Sequence, residues 1–147
     1  MSAWVLILGG SMGHGAATAK RLAKDGYGII AFHFDRGEAK KLATETIAEV
    51  NKTTDGRCHY FNTNAAAEET MDKYIPQIKE ITGGEPVKLL LHSIAFGTTT
   101  NLFGERPVTQ RQMDMTVHVM GNALLYWTQK LYSEGLLGNG SRVMGLT

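Results

Sequence analysis

The residues best suited to chemistry lie early in the chain. Gly9, Ser11, Met12, Gly13, His14 and Gly15 stand between an apolar run at 4–8 and an alanine-rich stretch that opens at Ala16. An apolar strand, a glycine turn and a helix bring backbone N–H groups and a helix N-terminus against a phosphate. In the spacing Gly9-x-x-x-Gly13-x-Gly15, each glycine has a distinct duty. Gly9 allows the tight turn off the strand, Gly13 lets backbone approach a pyrophosphate, and Gly15 lets the helix pack close to the strand. Ser11 can add a hydroxyl donor. The spacing departs from G-x-G-x-x-G, because Thr18 stands at the last glycine position, and no Gly-Lys-Ser/Thr follows to make a Walker loop.

A second candidate lies at Asp35 and Arg36, after the apolar run 29–34. In a dinucleotide fold the end of the second strand meets the adenosine ribose. An acid there accepts from the 2′-OH and favours NAD, whereas a base favours the 2′-phosphate of NADP. With both side by side the signal is mixed. A guanidinium outweighs an acid that can rotate away, so the pair leans to NADP, with NAD open. Asp35 could also pair with Arg36 or cap the next helix.

Other chemistries find little support. The five histidines, at 14, 33, 59, 92 and 118, show no metal-ligand spacing, and Cys58 is the single cysteine, so no metal site is expected. Ser93 lacks the G-x-S-x-G elbow of a nucleophile. His92 at a strand end reads as a loop-ordering residue and His118 as a structural one. The 147 residues are 43% hydrophobic and 20% charged with a net charge of +1, which suits one folded domain over 1–147. Nothing in that charge supports binding to nucleic acid or to a membrane surface. The N-terminal apolar run is too short for a signal peptide or a membrane span, and a cytoplasmic location is the simplest expectation.

These candidates need elements to position them. Strands are expected at 4–8, 29–34, 58–61, 87–92 and 141–147, with helical patterns at 14–24, 38–50, up to 81, and 109–135. Pro76 is expected to kink or split the third helix. Ala39, Leu42, Ala43, Ile47 and Val50 read as the buried face of the second, and Phe32, Phe34 and Tyr60 as strand core. Thr109 and Gln112 form a capping box at the start of the fourth helix. Its apolar stripe of Met113, Val117, Met120, Leu124, Trp127 and Leu131 suits core or a subunit interface. The alternation argues for an α/β fold with a parallel, helix-covered sheet. The polar loop at 96–107 is long enough to be functional. A fifth strand with no helix after it suggests a chain that is interrupted rather than finished.

Together the glycine spacing, Asn64-Ala65 after the third strand, and His92-Ser93-Ile94-Ala95 after the fourth resemble the short-chain dehydrogenase/reductase family. The stretch through Phe96 is more specifically similar to its enoyl-acyl carrier protein reductase branch. The resemblance implies a Rossmann-type doubly wound sheet of order 3-2-1-4-5 in three α/β/α layers. It implies that residues 9–15 hold the pyrophosphate and that Asp35 and Arg36 face the adenosine ribose. Asn64 and Ala65 would contact adenine, Ser93, Ile94 and Ala95 would line the nicotinamide side, and Phe96 and Gly97 would border a thioester substrate. His118 stands where many members place a catalytic Asn. The family's catalytic Tyr and Lys follow the fifth strand, about where this sequence stops, so no catalytic residue is assigned. Tyr126 and Lys130 share the family's Tyr-x-x-x-Lys spacing by chance, on an upstream helix.

The expectation is therefore an NAD(P)-dependent oxidoreductase transferring hydride to a small enoyl thioester or carbonyl compound, with the 147-residue chain inactive by itself. The alternative is a cofactor-binding sensor or interaction module. The resemblance also implies a homo-oligomer, dimer or tetramer, through the helix at 110–134. With the partner helix absent, the chain is expected to be of low stability and to self-associate.

Overall fold

The computed structural model describes residues 3–146. Five strands, β1 (Trp4–Leu8), β2 (Gly28–His33), β3 (Cys58–Asn62), β4 (Leu89–His92) and β5 (Arg142–Gly145), form one parallel sheet of order β3-β2-β1-β4-β5. This is the expected strand order. Helices α1 (Gly13–Lys24), α2 (Ala39–Thr53) and α3 (Glu68–Thr82) fill the first three crossovers. The fourth contains one long helical rod: α4 (Gln110–Val117), a π-helical turn (His118–Asn122) and α5 (Ala123–Ser133).

Period-two alternation explains the layering. On β1, Val5 and Ile7 pack toward Ala19, Ala23 and Val50 of α1 and α2. Leu6 and Leu8 point the other way, toward Met71, Ile75 and Ile78 of α3 and Trp127 and Leu131 of α5. Small alanines let α1 lie close to its face, while aromatics fill the opposite one. Phe32 packs against Phe61, Tyr74 and Trp127 with ring centroids 4.6–5.3 Å apart across that cluster. The indole N–H of Trp127 donates to the Ala65 carbonyl at 2.7 Å, tying α5 to the turn after β3.

Several sequence expectations change. α3 runs through Pro76 unbroken, because Pro76 sits on the solvent face while Met71, Ile75 and Ile78 anchor the helix on both sides of it. β4 begins at Leu89 rather than 87. Val87 instead donates its N–H to the Leu136 carbonyl and Lys88 donates to Trp4. On α2, Thr46 takes the buried place expected for Leu42, which is 55% exposed. Phe34 lies past the end of β2 and is 54% exposed rather than core. β5 occupies 142–145 of the expected 141–147, and Thr147 lies outside the described residues.

The stripe on the fourth helix splits. Trp127 and Leu131 are buried and Leu124 half-buried, but Met113, Val117 and Met120 are exposed. Upstream of and within the π turn the covered positions are Gln112, Met115, Thr116, His118 and Val119, and none of them belongs to the expected stripe. A π turn adds one residue to a helical turn, so the upstream half of the rod is rotated relative to the downstream half. The capping box at Thr109 and Gln112 is present as read, with Gln112 N–H donating to Thr109 Oγ1 at 3.3 Å. No described helix is long and apolar enough to cross a membrane.

The Trp127 bond sets a test. Trp127→Phe retains an aromatic ring but strips the buried Ala65 carbonyl of its donor. Urea unfolding of this variant is expected to show a loss of about 1–3 kcal/mol.

Candidate functional site

A cavity of about 480 Å³ opens at the carboxyl ends of β1, β2 and β4. This is where the strand order reverses, and open α/β sheets bind ligands at that point. Its walls come from three turns: Gly9 to His14 after β1, His33 to Asp35 at the end of β2, and Ser93 to Phe96 after β4. Thr63, Asn64 and Ala65 close one side, and Met115 and Val119 reach in from the helical rod.

Gly9 and Gly15 make this convergence possible. Gly9 has φ +89, and a Cβ there would overlap the Ser93 carbonyl. A Cβ on Gly15 would overlap the Gly9 carbonyl oxygen. Three backbone segments thus touch without side chains between them. Gly13, with φ +55, faces open space instead. Gly13 and His14 open α1 with no side-chain cap and no acidic residue in the first turn, so unpaired N–H groups point into the turn. That cradle fits a phosphate-bearing ligand in charge and in clearance.

Behind the cradle, the Tyr60 phenol donates to the Gly10 carbonyl at 3.5 Å. Burial, with the neighbouring Cys58 adding to it, pushes this phenol above the usual tyrosine range, so it stays neutral. Burial likewise raises the Cys58 thiol and leaves it a poor nucleophile.

At the end of β2, His33 Nδ1–H donates to the Asp35 carboxylate at 2.8 Å, and both residues are buried. Asp35 therefore takes neither of the roles expected as alternatives. It pairs with His33 rather than Arg36, and the N-terminus of α2 has no side-chain cap. Arg36 lies over the Phe34 ring at 4.8 Å and is not part of the cavity wall. Asn62 brackets Asp35 twice, accepting from its N–H at 3.1 Å and donating to its carbonyl at 3.2 Å.

Two further histidines order the wall on the Ser93 side of the cavity. His92, buried at the end of β4, donates through Nε2 to the Val119 carbonyl in the π turn at 2.9 Å. His118 donates through Nε2 to the Ala66 carbonyl at 2.7 Å. A carbonyl only accepts, so each Nε2 carries a proton. Both rings thereby hold the π turn against the sheet, and with it Met115 and Val119.

Of the residues read from sequence, Gly9, Ser11, Met12, Gly13, His14, Asp35, Asn64, Ala65, Ser93, Ile94, Ala95 and Phe96 converge on this cavity. Gly15 lies beneath it as packing. Gly97 lies off it, seated against the Thr116 side chain, while Thr98 N–H donates to Thr116 Oγ1 at 2.9 Å. Sequence reasoning missed His33, Phe34, Thr63, Met115 and Val119. The His-x-Asp spacing was a usable signal, since residues two apart on extended chain share a face. Met115 and Val119 carried no signal, because the π turn that aims them is not written in apolar periodicity.

The class is that of a Rossmann-type α/β domain with a cleft at the point where its strand order reverses. The sequence model of the short chain dehydrogenase family matches residues 3–143, and the chain belongs to that family. No curated protein sequence matches it. Among solved structures it resembles a 3-oxoacyl-[acyl-carrier protein] reductase from Brucella melitensis, with TM-score 0.74 and 19% identity over 97% of this chain and 54% of that one. It also resembles L-sorbose reductase from Gluconobacter frateurii complexed with NADPH and L-sorbose, with TM-score 0.74 and 16% identity over 92% and 48%. A third is the putative carbonyl reductase Sniffer of Caenorhabditis elegans, with TM-score 0.69 and 20% identity over 90% and 53%. The chain thus spans about half the length of these structures.

The two glycines should fail differently. Gly15→Ala forces backbone apart and is expected to destabilise the chain by about 2 kcal/mol or more. Gly13→Ala carries only the left-handed backbone penalty, about 1–2 kcal/mol, and stays folded. Thermal melts followed by circular dichroism read both.

Proposed function

We propose that this chain forms the cofactor-binding part of an NAD(P)-dependent reductase, and that its partner substrate is a small compound with an activated double bond or carbonyl. The observation that carries the reading is the packing of the Gly9 turn on Ser93. It joins a phosphate cradle to the Ser93–Phe96 wall across one cavity. When bound, the nicotinamide would supply the hydride. The chain's own part is to bind and orient. The α1 N-terminus and the glycine turn meet the pyrophosphate, Asp35 and its surroundings meet the adenosine ribose, and Asn64 and Ala65 border the adenine. Ser93, Ile94 and Ala95 flank the nicotinamide ribose and ring.

An enoyl thioester is the favoured substrate. What supports it is the run His92-Ser93-Ile94-Ala95-Phe96, with Phe96 61% exposed at the cavity mouth where an acyl chain would lie. Among the described residues the cavity wall holds no Tyr and no Lys to stabilise a developing oxyanion. This polypeptide is therefore proposed to bind cofactor without turning over substrate.

Self-association is proposed through the outer face of the helical rod, where Met113, Val117, Met120 and Leu125 are exposed together.

Titration with NADH and NADPH should enhance nicotinamide fluorescence on binding, while crotonyl thioester is not consumed. No enhancement with either would sink the reading, and turnover would overturn the proposed inactivity. Placing charges on the rod with Val117→Glu and Met120→Glu is expected to shift the chain to a smaller species in sedimentation velocity. An unchanged sedimentation coefficient would argue against that interface.

A further inference from the structure

We propose that His33 sets the cofactor preference of this site by locking Asp35 in place, so that the cleft selects a dinucleotide with an unphosphorylated adenosine ribose. The inference rests on the dinucleotide reading and goes beyond it. It reverses the lean to NADP drawn from sequence, which supposed that Asp35 could rotate away.

Three observations remove that freedom, and a fourth shows which oxygen is left open. The His33 Nδ1–H holds Asp35 Oδ2 at 2.8 Å, and the two side chains are only 6% and 8% exposed. His33 is itself fixed, packed edge-on against Tyr60 with ring centroids 6.1 Å apart. The Asp35 backbone is clamped from both sides by the Asn62 amide. Finally, Oδ1 of Asp35 accepts no hydrogen bond among the described residues, while the residue lines the cavity. One carboxylate oxygen is committed to His33 and the other is presented to ligand.

The surrounding charge points the same way. Arg36 is stacked on Phe34 away from the wall, and among the described residues no Lys or Arg lines the cavity. A vicinal diol can donate to the exposed oxygen of Asp35, as charge-assisted hydrogen bonds favour. A phosphate on the same ribose would meet a fixed anion with no cation opposite, in a site where Coulomb repulsion is only partly screened. Without His33 the carboxylate could swing out toward Arg36 and the penalty would fall. His33 is thus a positioning residue that acts through Asp35.

Isothermal titration calorimetry with ADP-ribose and 2′-phospho-ADP-ribose tests this, since the probes differ only at the ribose. Wild type is expected to bind ADP-ribose tighter by about tenfold or more. His33→Leu should collapse that ratio to within about threefold, as the diol loses its fixed acceptor and the penalty on the phosphate falls. His33→Asn, whose side-chain amide can donate from the place of Nδ1–H, should restore it. A merely structural role would lower both affinities together and leave their ratio intact. Should His33→Leu fail to fold, Asp35→Asn supplies the comparison, with the penalty on the 2′-phosphate expected to vanish. Preference of the wild type for the phosphorylated probe, or an unchanged ratio in His33→Leu, would overturn the inference and leave the dinucleotide reading standing. Binding of neither probe would sink both.

Discussion

The site depends on backbone meeting backbone with no side chain between. At Gly9 the turn after β1 lies against the Ser93 carbonyl, and at Gly15 helix α1 lies against the Gly9 carbonyl. The turn after β1, the loop after β4 and the start of α1 meet at one point because these two positions lack a Cβ. Adding even a methyl group would separate the phosphate cradle from the Ser93–Phe96 wall. The cavity follows from that contact, as does the exposure of the α1 N-terminus within it.

Around this point the two faces of the sheet are built for different ends. The α1/α2 face is lined by small residues such as Ala19 and Ala23, which set the helix close enough for its first turn to reach the cavity. The opposite face is filled by Phe32, Met71, Trp127 and Leu131, and its role is anchorage. Trp127 joins the two functions, since its indole fixes the Ala65 carbonyl, and Ala65 is a wall of the cleft. His92 and His118 extend the anchorage to the π turn. Both imidazoles are engaged with main-chain carbonyls.

Legibility differed from one part of the site to another for physical reasons. Turns at strand ends are local, so their glycines and the Ser93–Phe96 run could be read from spacing and from resemblance. Asp35 was found, but its orientation was not, because the Asn62 bracket comes from another strand 27 residues away. Gly97 was read as facing substrate, yet it packs on Thr116 of a helix that follows a long loop. Phe34 reads as strand core because the run 29–34 carries through it, yet strand β2 ends one residue before it.

By itself the sequence determined the alternation of strand and helix, the glycine turn, the capping box at Thr109 and, through family resemblance, the order of the sheet. These rest on periodicity, local turn chemistry and short motifs, all contained within a few consecutive residues. Tertiary structure alone decided which face of the 110–133 rod is buried, because one extra residue in a π turn rotates half of it. It also decided that Asp35 faces the cleft under the grip of His33 while Arg36 turns to Phe34. Both side chains were available to the ligand in the sequence. The choice between them was made by His33, which is local to the pair, together with Asn62 and Tyr60, which belong to strand β3.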